Sequence, residues 1–135
     1  NGQYDDGSAA TSQRVYYYEM RATDDCDTVT KSPYFATTLL SAQAIQAGES
    51  ELSWTAFEAP GRMIVNQVLC RIENDGTETE IYSGLTNNQF TDAFTQSIPG
   101  PVCYLVKTLH TNVSGLDTLV ALSNLACTEQ MINVY

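Results

Sequence analysis

Histidine and cations are the scarce residues of this chain. Its 135 residues hold one His and six Lys plus Arg against 16 Asp plus Glu, for a formal net charge of −10. That balance argues against a nucleic-acid partner, whose phosphates need Lys and Arg. It fits a soluble, self-repelling surface instead. No run of ~18 apolar residues occurs, so membrane insertion by a helix is not expected. The cysteines Cys26, Cys70, Cys103 and Cys127 contain no CxxC pair, which removes the usual zinc spacing. No Gly-rich phosphate loop occurs. A nucleophile, base and orienting group have little to build on with one imidazole. That imidazole, His110, reads as a solvated residue at the end of a strand. The acidic pairs Asp5-Asp6 and Asp24-Asp25 could be set against a glycosidic bond, but they sit in turn-like sequence, where solvated acids are the norm. The expectation is no catalytic residue, no cofactor-binding residue and no metal ligand.

What is present is a repeat. Asn1-Gly-Gln-Tyr-Asp-Asp6 resembles Asn87-Asn-Gln-Phe-Thr-Asp92, and Tyr17-Tyr-Glu-Met-Arg-Ala22 aligns with Cys103-Tyr-Leu-Val-Lys-Thr108. Both matches have the same offset, 86 residues (87 − 1 and 103 − 17). Asp27-Thr-Val29 matches Asp117-Thr-Leu119 at 90 (117 − 27), so the second copy has a longer loop. Such a period exceeds a solenoid unit and suits a whole sandwich domain. It predicts residues 1–38 as strands E–G of one repeat, 39–127 as a complete second repeat, and 128–135 as the lead into a following domain. Asn1 opens a polar stretch unlike a signal peptide, which reads as a processed or trimmed start.

Hydrophobic content of 43% is ordinary for a folded protein. Short segments rich in Val, Ile, Thr and Tyr, bounded by turn residues, predict an all-β fold. In the full repeat, strand A is expected near Ala36–Ala42 and strand B at Glu51–Phe57, where Leu52, Trp54 and Ala56 alternate with Ser53 and Thr55. Pro60-Gly61 breaks the chain before strand C at Met63–Glu73. Asn74-Asp75-Gly76 then signals a hairpin into strand C′, Thr77–Ser83. Strand E surrounds Gln89–Thr91, strand F is Val102–His110, and strand G is Asp117–Leu125. Ala42–Ala47 could pass for a helical turn. Trp54 reads as core. Tyr104, early in strand F, occupies the place where a sandwich often sets a tyrosine whose hydroxyl bonds back to the backbone, and Tyr18 holds the same place in the first copy.

Leu52-Ser-Trp54, Arg71, Tyr104-Leu-Val106 and Ser123-Asn124 together resemble an immunoglobulin-like, fibronectin type III-like β-sandwich repeat. The variant is similar to modules of large secreted Bacteroidetes proteins, such as gliding-motility adhesins and other type IX secretion substrates. There such a module often precedes a C-terminal sorting domain, and Glu129–Tyr135 resembles the approach to one. The mid-strand C aromatic typical of the family is replaced, with Gln67 at that position. The resemblance implies an extracellular or cell-surface location. It also implies neighbouring repeats of the same polypeptide and secretion or outer-membrane surface proteins as partners. Asp27-Thr28-Val29 and Asp117-Thr118-Leu119 look like the Asp-Thr-aliphatic acceptor of Bacteroidetes O-glycosylation, which makes Thr28 and Thr118 candidate glycan sites. Asn112-Val-Ser114 fits the N-glycosylation pattern of a eukaryotic host.

Four cysteines in a short, Lys-poor chain fit an oxidising compartment. In a sandwich, strand F starts and strand G ends at one pole, so Cys103 and Cys127 form the leading disulfide. Cys70 is the competitor for Cys103, or else a buried free thiol. Cys26 belongs to the F–G loop of the partial repeat, with its partner expected upstream. Calcium is a weaker alternative to turn formation at Asp24, Asp25 and Asp27, and at Asn74 and Asp75.

The function expected is a non-catalytic structural or adhesive repeat. The alternative is an accessory carbohydrate- or protein-binding module of a secreted hydrolase. Chain-to-chain strand addition through the partial repeat is a further route to assembly.

Overall fold

A computed structural model of the chain describes residues 5–32, 34–93 and 101–129, and these are all-β, with no helix among them. The inward alternation read in the sequence is what builds the sheets. In β10 (Pro101–Asn112), Val102, Tyr104, Val106, Thr108 and His110 face inward and are buried, while the residues between them are half-exposed. One sheet has the order β5 (Leu40–Gln46), β6 (Glu49–Trp54), β9 (Gln89–Ala93). The other runs β8 (Glu78–Gly84), β7 (Arg62–Ile72), β10, with β11 (Thr118–Leu122) and then β12 (Ala126–Glu129) pairing successive parts of the far edge of β10. All these pairings are antiparallel. Leu40, Leu52 and Trp54 from the first sheet meet Leu69, Val102, Tyr104, Val106 and Ala126 from the second, which makes the unit a β-sandwich. Each large apolar side chain so buried contributes roughly 1.5–3 kcal/mol.

Two turns set the register of β7. Ala59-Pro60-Gly61-Arg62 is closed by a bond from the Arg62 amide to the Ala59 carbonyl, with Gly61 at φ 79°, as a turn with proline second and a left-handed third residue demands. At the other end Gly76 takes φ 85° in the expected hairpin, where Asp75 Oδ1 accepts from the Thr77 amide.

Several boundaries differ from those read in the sequence. Strand A lies at Leu40–Gln46, and Phe35–Ala36 belongs to a separate strand. Ala42–Ala47 contributes to β5 rather than to a helical turn. Tertiary bonds override the helix propensity of Ala and Gln there. Asn124 straps Leu40 from both sides, its Oδ1 accepting from the Leu40 amide and its Nδ2 donating to the Leu40 carbonyl. Thr128 Oγ1 accepts from the Ala44 amide. Strand B ends at Trp54. Strand G is two strands, interrupted at residues 123–125, and β12 carries the sandwich through Glu129, two residues past the expected boundary.

The N-terminal part forms a ladder of its own. β1 (Tyr17–Tyr18) pairs with β4 (Phe35–Ala36), and β2 (Arg21–Thr23) pairs with β3 (Val29–Lys31). Tyr17 faces Ala36, Tyr18 faces Phe35, and Arg21 faces Lys31. In the sandwich, Cys103 faces Cys127, Tyr104 faces Ala126, and Lys107 faces Leu122. Both ladders slip by one residue between their outer and inner pairs, and a serine sits at each slip. Met20 N donates to Ser32 Oγ at 2.8 Å, and Ser32 N donates to Met20 O at 2.8 Å. Val106 N donates to Ser123 Oγ at 2.9 Å, and Ser123 N donates to Val106 O at 2.9 Å.

Candidate functional site

The polar residues of the sandwich gather at the two ends of β7. Near its C-terminal end, Arg71 Nη1 reaches both carboxylate oxygens of Asp92, at 3.0 and 2.9 Å, and Tyr104 Oη donates to Asp92 Oδ2 at 3.0 Å. Arg71 Nε also meets Glu73 at 3.2 Å. Asp92 belongs to β9, whereas Arg71 and Tyr104 belong to β7 and β10, so the carboxylate ties the two sheets together. The tyrosine hydroxyl expected to bond to backbone bonds to this side chain instead. Burial pushes the Tyr104 phenol well above its ordinary range, and the adjacent carboxylate adds to the rise. Burial alone would lower the Arg71 guanidinium, but its bonds to Asp92 and Glu73 outweigh that and raise it.

At the start of β7, Arg62 pins the β10–β11 hairpin. Its Nε donates to His110 Nδ1 at 2.6 Å, its Nη1 meets Asp117 Oδ2 at 3.0 Å, and its Nη2 donates to the carbonyls of Asp117 and His110. Phe57 lies over the imidazole at 4.6 Å between ring centroids. His110 is therefore a buried strand residue, not the solvated loop residue expected. Its Nδ1 accepts, so the ring is neutral. Burial and the Arg62 charge hold its pKa below the ordinary imidazole value, against an opposing pull from Asp117. The ring is committed to a structural contact on that nitrogen.

Gln67 is also buried, between Trp54 Nε1 and Thr108 Oγ1, at 3.5 Å from each. It is the residue that the sequence reading set at the mid-strand position of an expected aromatic. Trp54 is 5% exposed, which makes it core and no platform for a sugar.

The cysteines sort as the strand order requires. Cys103 and Cys127, directly opposed on β10 and β12, form the disulfide. Cys70 is a buried free thiol, its pKa raised by that burial, and Cys26 is free and exposed. The glycan candidates Thr28 and Thr118 are both exposed, Thr28 in the turn ahead of β3 and Thr118 at the first position of β11. Asp24 Oδ1 accepts from the amides of Cys26 and Thr28, so it shapes that turn. Among the described residues, no three His, Cys, Asp or Glu side chains converge as metal ligands. Nor is any helix among the described residues long and apolar enough to cross a membrane. Among the described residues, Arg21, Arg62, Arg71 and Lys107 are engaged in ion pairs.

The N-terminal ladder carries a cleft of about 610 Å3 lined by Asp5, Asp6, Tyr18, Met20 and Phe35, among others. Tyr18 stacks with Phe35 at 5.8 Å and donates from its hydroxyl to Asp6 Oδ2 at 3.2 Å. Hydrogen bonds from Ser8 hold the Asp6 carboxyl below its usual range, with a smaller contribution from Tyr18. The sequence signalled Tyr18 but not its carboxylate partner, although Asp6 and Asp92 share the 86-residue offset of the repeat.

No family model matches the sequence, and no curated protein matches it at a significant level. A solved pectate lyase, Pel3 from Pectobacterium carotovorum, is similar at 24% identity over 67% of this chain, with a TM-score of 0.48. This chain spans 26% of that protein's length, and a likeness of that kind carries no argument about activity.

Proposed function

We propose that the chain is a non-catalytic module of a tandem array of fibronectin type III-like sandwiches, working as an extracellular spacer or adhesive stalk. The observation that carries this reading is the equivalence of the two ladders. Residue pairs, the one-residue slip, the serine at the slip and the tyrosine–aspartate bond all recur, on the first strand at an offset of 86. The sheet orders β5-β6-β9 and β8-β7-β10-β11/β12 support that reading, since a fibronectin type III-like unit would order its strands A-B-E and C′-C-F-G. A disulfide on the terminal strand pair suits a load-bearing part in an oxidising setting. The acidic surface keeps successive modules apart and soluble.

Stretching single molecules of a concatemer of residues 1–135 tests the spacer role. Each sandwich should open as one cooperative step. Reducing Cys103–Cys127, whose separation is 24 residues, should lengthen that step by ~80 Å. Extension without discrete steps, or tight retention of the chain on an insoluble polysaccharide, would replace the spacer with the accessory-module alternative.

A further inference from the structure

The edges of the sandwich differ in character. An edge strand presents N–H and C=O groups to which a further strand can add, unless charge or cover prevents it. β5 is strapped by Asn124 at Leu40 and by Thr128 at Ala44. β8 exposes Glu78 and Glu80, and β9 exposes Gln89, Thr91 and Ala93. β11 is unlike these. Its Leu119, Val120 and Leu122 are 50%, 54% and 59% exposed, and no described strand pairs with its side away from β10. No charged residue occurs from Thr118 to Leu125, although the chain carries a net charge of −10. Asp117, just ahead of the strand, turns its carboxylate to Arg62 at 3.0 Å.

The backbone of β11 is in phase for pairing with itself. Ser123 N donates to Val106 O, and the register runs without a shift from Lys107–Leu122 to Thr111–Thr118. Bonding alternates along an antiparallel pair. Leu119 and Ala121 therefore bond to β10, while Thr118, Val120 and Leu122 turn their amides and carbonyls outward. We propose that β11 is a dimerisation edge, at which two copies of this chain pair antiparallel about a two-fold axis at Val120. Val120 then exchanges both backbone bonds with the partner's Val120, and Thr118 does so with the partner's Leu122. Leu119 packs on the partner's Ala121 across the other face of the joined sheet. The occupant is a second copy because this one register satisfies every outward group and sets no carboxylate against another. The equivalent pairing of β8 would gather four glutamates, two from each copy. The contact is a single strand deep and smaller than a standard interface, so a dissociation constant of roughly 10–100 μM is expected.

The test is sedimentation of the full chain from ~5 to ~500 μM, with amide exchange followed at Val120 and Leu122. The weight-average mass should climb from monomer towards dimer, and both amides should slow as it does. Val120→Lys and Val120→Glu each set like charges across the two-fold axis and should weaken association at least ~10-fold. Their equimolar mixture should associate again, because Lys then faces Glu. An unchanged urea midpoint by Trp54 fluorescence shows that each variant is folded. A chain that stays monomeric throughout overturns the proposal. Slow exchange at Val120 that ignores concentration also overturns it, since the edge is then covered within one chain. Association that survives both single variants places the interface elsewhere, and loss that the mixture does not restore overturns the two-fold register.

Discussion

The two strand ladders, residues 17–36 and 101–129, share pairing, slip and serine, but their side chains have opposite fates. Tyr104 and Val106 are fully buried, whereas Met20 and Phe35 are 71% and 45% exposed. The difference lies in what covers them. β10 is flanked by β7 and faced by β6 and β9, while among the described residues β1–β2 pairs with β3 and β4. Local sequence is thus enough to write the hairpin, with its slip fixed by a serine hydroxyl on a backbone amide. Burial, and most of the stability, comes from elements far away in the chain.

The cluster of Arg71, Asp92 and Tyr104 should separate the two ladders most sharply. Asp92→Asn leaves Arg71 in a buried site without its full counter-charge, and should cost about 3–5 kcal/mol. Asp6→Asn, its counterpart in the exposed ladder, should leave the unfolding midpoint of the sandwich where it was. The lone tryptophan, Trp54, sits in the sandwich core and reports its unfolding by fluorescence in urea. Equal losses for the two variants would mean that the ladder is already built into the same cooperative unit.

A smaller contrast concerns the disulfide. Removing Cys103–Cys127 by paired Cys→Ala substitutions should lower stability by ~3 kcal/mol in the chain-entropy model. Tyr17 and Ala36 occupy the equivalent opposed positions. Tyr17→Cys with Ala36→Cys should therefore oxidise spontaneously, with the loss of two hydrogens in intact mass. The urea midpoint reported by Trp54 should stay where it was. A failure to oxidise would break the equivalence of the two registers.

The sequence disclosed this architecture unevenly, for physical reasons. Alternation at Leu52 and Trp54, and at Val102, Tyr104 and Val106, marked the core directly, and strands C, C′, E and F fell close to their expected places, whereas strand A lies four residues further along. The last strand was harder, because Ser123 and Asn124 spend their side chains on Val106 and Leu40 and interrupt the pairing. The charged cluster left no periodic trace. Arg71 and Asp92 are 21 residues apart and meet only because two sheets stack. His110 was misjudged for its nearness to a loop, although it continues the inward parity of Tyr104, Val106 and Thr108. The repeat offset held the missing signal for Asp6, since the tyrosine and its acid recur together.

The mildest expected effect is a pH response confined to the sandwich. The only histidine of the chain is His110, whose offset counterpart in the ladder is Asp24, in an exposed turn. The groups facing the imidazole are Arg62, Asp117 and Phe57, and the folded ring has a pKa below its ordinary 6.5. The unfolded chain therefore takes up the proton first as the pH falls. Stability is fully present above about 6.5 and declines below it, until the pH passes the depressed folded value. Urea midpoints should drop between pH 7.5 and 5.5. His110→Gln, which keeps an acceptor near Arg62, should flatten that drop while lowering stability at both values. An unchanged slope in this variant would move the pH response to the carboxylates, which both halves of the molecule share, and would erase this distinction between them.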